Sequence, residues 1–286
     1  MKKILVTGAN SYVGISFKRW VEKNHSNYLQ VSTVGIRDGE WKETPFTGYD
    51  AILHAAGIAH VSTDKSMEDL YYKVNTDLTA EVAAKAKQSG VKQFIFLSSM
   101  IVYGDATNAR FITADTIPNP TNFYGNSKLQ AENKLAELAD EMFMVANVRP
   151  PMIYGKGSKG NYVKLSGLAQ KIPFFPSYQN KRSMIHIDNL SEFLARIVLN
   201  GDSGTFHPQN KEYVCTTNLV STIGSVHGNT VRGIGLFNSV IDKLIDRNVT
   251  VNKLFGDFSY AKELSVYRDE YCVRGFEESI VETEKN

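Results

Sequence analysis

Residues 3–14 read Lys3-Ile4-Leu5-Val6-Thr7-Gly8-Ala9-Asn10-Ser11-Tyr12-Val13-Gly14. The run Lys3 to Thr7 reads as a buried strand. The spacing Gly8-x-x-Ser11-x-x-Gly14 then joins it to a first helix, where backbone amides and the helix dipole can hold a pyrophosphate. Gly8, Asn10, Ser11, Tyr12, Val13 and Gly14 are therefore the first candidate cofactor residues. Serine stands at the middle position, where backbone must approach phosphate; it is small and brings its own hydroxyl.

Outward from that turn, short apolar runs alternate with longer amphipathic stretches. Tyr28 to Val34, Ala51 to His54, Gln93 to Ser98 and Phe143 to Val148 read as further buried strands, which means parallel β with crossover helices. Between the third and fourth strands, Leu70, Val74, Leu78, Val82 and Ala86 recur every four residues and predict one buried helix face, ended by Gly90. Asn119-Pro120 predicts a loop before a helix over 122–140. After Pro150-Pro151 the pattern turns irregular through Gly155-Lys156-Gly157-Ser158-Lys159-Gly160, and Ile185 to Asn200 predicts one more helix returning to the sheet.

Within the helix over 122–140, Tyr124 and Lys128 stand four apart and share a face. A phenol titrates near ~10, and one ammonium about 4 Å away at an effective dielectric near 20 supplies roughly the 4 kcal/mol needed to lower it by about three units. With 14 tyrosines in the chain, the spacing alone is weak evidence. Its context is stronger: it follows the strand Gln93-Phe94-Ile95-Phe96-Leu97, then Ser98-Ser99 and Val102-Tyr103-Gly104.

That order of motifs resembles the extended short-chain dehydrogenase/reductase, or NAD-dependent epimerase/dehydratase, family. The resemblance implies a Rossmann-type, doubly wound parallel α/β sheet with a smaller C-terminal substrate lobe. Residues 1–150 would form the dinucleotide-binding domain, with 180–200 returning to it, and 151–179 with 201–286 the lobe. It also implies the catalytic set Ser99, Tyr124 and Lys128, Ser99 being chosen over Ser98 because it lies four positions before Tyr103. His54-Ala55-Ala56-Gly57 resembles the family's cofactor-wall turn, so Ala55, Ala56 and Gly57 join the cofactor set, as do Asn75 and Pro151. The second strand ends Val34-Gly35-Ile36-Arg37 without an acid to grip a ribose hydroxyl, so NADP(H) is favoured through Arg37; Asp38 and Glu40 keep NAD(H) possible. Arg182-Ser183-Met184-Ile185-His186 is similar to the family segment whose arginine meets the diphosphate of a nucleotide sugar. Arg182 and Asn161, with Ser99 and Tyr124, form the candidate substrate site, while His186 reads as a core residue. Val148-Arg149-Pro150-Pro151-Met152-Ile153-Tyr154-Gly155, Gly160-Asn161 and Phe206-His207-Pro208-Gln209 look like the capsule and O-antigen enzymes that reduce UDP-4-keto-6-deoxy-N-acetylhexosamines. The expected activity is thus NADPH-dependent reduction at C4 of a UDP-sugar. A UDP-sugar 4-epimerase with retained NAD and a non-catalytic cofactor sensor are the alternatives.

Composition bounds the rest. The 42% hydrophobic content of 286 residues suffices for a proper core, and a formal net charge of +2 gives no field to hold nucleic acid. Cys215 and Cys272 form no disulfide framework and share no metal-ligand spacing with histidine, so reduced thiols and a cytoplasmic location are expected. No stretch approaches the ~18 apolar residues of a membrane span. Oligomeric state stays open, a homodimer being one outcome.

Overall fold

The computed structural model describes residues 1–37, 39–59, 64–105 and 110–285. Six parallel strands make one sheet: β1 (Lys2–Thr7), β2 (Leu29–Val34), β3 (Ala51–His54), β4 (Gln93–Leu97), β5 (Met144–Val148) and β6 (Gly204–Phe206), ordered β6-β5-β4-β3-β1-β2. The first five lie where the apolar runs put them. Every residue of β3 and β4 is buried, as expected of strands covered on both faces.

Four helices supply that cover: α1 (Tyr12–Asn24), α2 (Leu78–Gln88), α3 (Phe123–Leu138) and α4 (Ile187–Asn200). Alternation along β1 sends Ile4 and Val6 to one face, where they meet Phe17 and Val21 of α1 and Leu190, Phe193, Leu194 and Ile197 of α4. Leu5 faces the other way with Ile52, Phe94 and Phe96, against Val82 and Ala86 of α2 and Ala131 and Leu135 of α3. A separate core of Tyr154, Tyr162, Leu165, Leu219, Val220, Ile223 and Ile280 builds the lobe. A small cluster of Met100, Val102, Tyr103, Ile112 and Tyr260 joins the lobe to the end of β4.

Two sequence expectations need correction. Gly204–Phe206, expected within the lobe, pairs in parallel with Ala146–Val148 and closes the sheet as its edge. Three residues, two of them exposed, give no readable pattern. The helical face before Gly90 is also offset: Leu70 is 41% exposed, and the inward positions are Tyr71, Asn75, Thr76, Thr79, Val82, Ala83 and Ala86. Three of those seven inward residues, Asn75, Thr76 and Thr79, are polar and therefore invisible to an apolar count. From Tyr71 it runs through a π-helical stretch, Tyr72–Asp77, whose wider turns displace the face.

His54, at the end of β3, is fully buried between two hydroxyls. Thr79 Oγ1 donates to the Asn75 carbonyl at 2.7 Å, so it accepts from His54 Nε2 at 3.1 Å; Thr7 Oγ1 meets Nδ1 at 2.7 Å. Burial, followed by the Lys128 charge, lowers its pKa to about 3, which keeps the ring neutral near pH 7. Because the folded value lies below the ordinary one, the stability it contributes is full above pH ~6.5 and is lost as pH falls from there toward 3, by up to ~1.4 kcal/mol per unit. Denaturant titrations at stepped pH should show this acid loss, and His54→Gln should flatten it by about one proton's slope; an unchanged slope would remove His54 from the effect.

Candidate active site

The chain leaves β1 for β2 on one side and returns to β3 on the other, so the loops after β1 and β3 flank a crevice at the carboxyl edge of the sheet. They touch: a Cβ on Gly8, whose φ is +96°, would stand 2.9 Å from the Ala56 backbone. Ser11 caps α1, its Oγ accepting from Gly14 N at 3.0 Å, and a Cβ on Gly14 would fall 2.7 Å from that oxygen. The serine at the middle motif position therefore serves the helix. It leaves the first-turn amides of Tyr12 and Val13 with no acceptor inside the helix, aimed where an anion would sit. Asn10 is exposed beside them. The Tyr12 hydroxyl is buried and has no hydrogen-bond partner among the described residues.

Gly57 continues the wall. A Cβ there would lie 3.0 Å from both Lys128 Nζ and Asn75 Oδ1. Asn75, fully buried, accepts from Ile58 N at 2.8 Å and donates to Ile58 O and Ser127 Oγ, both at 3.1 Å. Its amide is spent on clamping the loop after β3 to α3. Asn75, expected among the cofactor residues, is thus placed as a positioning residue. Thr76 adds a bond to Ser127 O at 2.8 Å.

Asn122 caps α3 through Gly125 N at 2.9 Å. At Gly125 a Cβ would come within 2.6 Å of Ile101 O. That close approach, not anticipated from the sequence, seats α3 on the turn Met100–Tyr103 and brings Tyr124 to Ser99, which hydrogen-bonds its phenol. Ser98, by contrast, is bonded to Glu132.

Lys128 is buried, donates to Leu97 O at 2.8 Å and lies 4.6 Å over the Phe96 ring. Burial lowers its pKa to about 8, with Glu132 opposing. The expected depression of the Tyr124 phenol by Lys128 is not found: burial raises it, the Ser99 bond offsets this in part, and Tyr71 adds to the rise. The ammonium is directed at the end of β4, so desolvation of the phenol outweighs its charge.

Beneath these groups runs a buried network absent from the expected set. Arg149 Nε donates to Glu132 Oε1 at 3.0 Å and Nη1 to the Tyr103 hydroxyl at 2.6 Å, which meets His207 Nε2 at 2.8 Å. Burial works against the guanidinium charge, but the Glu132 bond more than restores it and Arg149 is held above its ordinary value. A glutamate four residues after Lys128 was the readable signal.

Toward the lobe, Pro151 is buried, whereas Asn161 is exposed at the start of the helix Asn161–Ala169. Arg182, half-buried, donates from Nη1 to Gly256 O at 2.6 Å. Among the described residues it forms no ion pair, and burial lowers it to about 10 against the pull of Asp257. His186 is buried and caps α4 through Asp188 N at 3.3 Å. Arg37 is exposed after β2, Asp38 lies outside the described residues, and Glu40 Oε2 stands 3.5 Å from where a Cβ on Gly35 would be. Among the described residues there is no cluster that could hold a metal ion, and no helix is long and apolar enough to cross a membrane.

Fold and site together define a Rossmann-type protein with Ser, Tyr and Lys gathered at the carboxyl edge of its sheet. Residues 4–213 match the model of the NAD dependent epimerase/dehydratase family, and the chain belongs to that family. It is 35% identical over 220 residues to a UDP-glucose 4-epimerase of Vibrio cholerae, covering 69% of this chain and 66% of the relative. To the N-acetyl-alpha-D-glucosaminyl-diphospho-ditrans,octacis-undecaprenol 4-epimerase of Escherichia coli O157:H7 it is 30% identical over 207 residues, covering 67% and 61%. The chain thus spans less than two thirds of either relative's length. A dTDP-4-dehydrorhamnose reductase of Clostridium acetobutylicum shares the fold, with TM-score 0.68 and 21% identity over 81% of this chain and 83% of that one.

If the Ser99–Tyr124 pair performs proton transfer, Tyr124→Phe should lower turnover about a hundredfold or more, the usual share of a general acid, with cofactor affinity retained. Near-normal turnover in that variant would take Tyr124 out of the chemistry.

Proposed function

We propose that the protein is a nicotinamide-dependent oxidoreductase acting at C4 of a hexose carried on a diphosphate, with reduction of a UDP-linked 4-keto-6-deoxy-N-acetylhexosamine as its net reaction. The observation that carries this is the Tyr124 phenol, hydrogen-bonded by Ser99 and held protonated by burial. A protonated phenol is what a reduction needs, since the oxygen formed at C4 must receive a proton. The pyrophosphate of a cofactor fits the Tyr12 and Val13 amides, and its wall fits Gly8, Ala55, Ala56 and Gly57. When bound, NADPH supplies the hydride. Tyr124 gives its proton to the C4 oxygen, Ser99 holds that oxygen, and Lys128 keeps a positive charge below the site. Arg182, a half-buried guanidinium whose one side-chain partner among the described residues is the Gly256 carbonyl, suits the substrate's diphosphate.

The two curated relatives favour a second reading, a 4-epimerase with retained NAD. Met152 speaks against it, because epimerases of the superfamily usually carry asparagine there. Incubation with NADPH and the UDP-4-keto sugar should consume cofactor stoichiometrically; release of bound NAD on denaturation and turnover without added cofactor would favour the epimerase.

Cofactor choice follows from Arg37. Arg37→Ala should weaken NADPH binding much more than NADH binding, because only NADPH has a 2′-phosphate to lose its partner. Equal losses, or a wild-type preference for NADH, would shift the assignment to Glu40 and NAD.

Arg182→Ala should raise the Michaelis constant for the nucleotide sugar and weaken inhibition by UDP roughly ten- to a hundredfold, the scale of a lost charge-assisted contact. Cofactor affinity should stay nearly constant, and Arg182→Lys should recover only part of the loss. Wild-type indifference to UDP would sink the nucleotide-sugar assignment.

A further inference from the structure

The helical run that carries Asn75 and Thr76 reaches the active site by an irregular path. At Glu68–Tyr71 it is α-helical, Tyr72 N bonding to Glu68 O; through Tyr72–Asp77 the bonds lengthen to the π pattern, and Leu78 N reaches Lys73 O, five residues back. In a regular α-helix, residues five apart point about 140° away from each other around the axis. Across a π turn, whose bond joins those same positions, they come into line. Tyr71 and Thr76 are such a pair. Both are buried, at 0% and 1% exposure, and both are turned onto α3.

Thr76 and Asn75 use that placement to bond Ser127, whose own Oγ donates to Tyr124 O at 2.9 Å. Tyr71 uses it differently. Its ring lies 4.9 Å from Phe123 and 5.8 Å from Tyr124, at 69° to each, so it stands steeply across the first residues of α3, beside the phenol. Aromatic pairs favour such an edge-to-face arrangement. The field of Tyr71 also reaches the Tyr124 oxygen, adding to the rise in pKa that burial causes and the Ser99 bond offsets.

A bond to Ser99 places the phenol oxygen without settling the plane of the ring, because the aromatic χ2 torsion is broad. That plane has a chemical consequence. Conjugation keeps a phenolic O–H in the plane of its own ring, so the plane decides in which direction the proton is offered. A neighbouring ring set steeply across it restricts the torsion that Ser99 leaves open.

We propose that Tyr71, carried to the site by the π turn, is a positioning residue that fixes the ring plane of Tyr124 and with it the direction of proton transfer. The catalytic half of this inference rests on reading Tyr124 as the proton donor. The holding of the ring does not.

The test reads the two halves separately. In protein carrying ring-labelled tyrosine, the nuclear magnetic resonance signals of Tyr124 are those lost in Tyr124→Phe. The wild-type ring should flip slowly and show its two sides as distinct signals. Tyr71→Leu should merge them, and Tyr71→Phe, which keeps the ring, should leave them apart. On the UDP-4-keto sugar, Tyr71→Leu should lower kcat about tenfold or more, the scale on which a small misplacement of a reacting group acts, with the Michaelis constant for cofactor nearly unchanged. Tyr71→Phe should stay within about twofold of wild type by the same argument. In the Tyr124→Phe background, Tyr71→Leu should cost almost nothing more, since the group through which it acts is gone. If the leucine variant does not fold, Tyr71→Met, which keeps bulk without a plane, makes the same comparisons. A Tyr124 ring that flips fast in the wild type, or flips alike in wild type and Tyr71→Leu, would overturn the holding. An equal loss of kcat in both backgrounds, the mark of a merely structural residue, would overturn the catalytic half. Wild-type protein that turns over no sugar would count against the C4 chemistry, while the ring signals would still decide whether Tyr71 holds Tyr124.

Discussion

The buried ion pair between Glu132 and Arg149 is the contact through which the separate parts of this molecule are held in register. The glutamate comes from α3, the arginine from the chain just after β5, and the same carboxylate takes the Ser98 hydroxyl at the end of β4. Arg149 reaches on to Tyr103 and so to His207, while its own carbonyl accepts from the Tyr260 hydroxyl at 2.9 Å. Helix, two strand ends and lobe therefore meet at one charge pair. Such a pair need not add net stability, since desolvating both ions is costly. Removing either partner, however, leaves a lone buried charge, which makes the arrangement intolerant of any geometry but its own.

Around that pair, close approaches rather than attractive contacts set the distances that matter. Gly8 lets the loops after β1 and β3 touch, and Gly125 lets α3 settle onto the turn after β4. Each would bring a Cβ within 3 Å of backbone. The Ser99–Tyr124 contact is thus a consequence of where a methyl group is missing, one residue along from Tyr124. Asn75 and Thr76 hold the other side of α3 with bonds to Ser127.

The fold was legible because a parallel sheet buries whole strands, and runs such as Ala51–His54 and Phe94–Leu97 announce themselves without periodicity. What escaped were elements made by polar or absent side chains. The inward stripe at Asn75, Thr76 and Thr79 reads as surface until their partners are known. β6 has too few residues to show a pattern. In the candidate site, Ser99, Tyr124 and Lys128 stood out by spacing and context, and the structure gathers them. Glu132 did not stand out, because a glutamate in a helix is ordinarily solvated; only the position of Arg149, seventeen residues away in sequence, makes it a buried group.

The same network bears on the charge beneath the phenol. Lys128, Glu132 and Arg149 are all buried, and their formal charges leave one positive unit over. Glu132 sits one helical turn from Lys128 and could have neutralised it, yet both its oxygens are taken by Arg149. Two charges about 4 Å apart interact by roughly 4 kcal/mol at an effective dielectric near 20, so which cation the carboxylate satisfies is decisive. With Arg149 as its partner, Glu132 still supports the ammonium at a distance, restraining the fall in its pKa that burial imposes. Lys128 therefore remains a cation at neutral pH without being tied into an ion pair, free to act on groups brought to the wall at Gly57. A chain that lacked Arg149 would keep the same catalytic spacing in its sequence and lose the surplus positive charge that gives the spacing its chemistry.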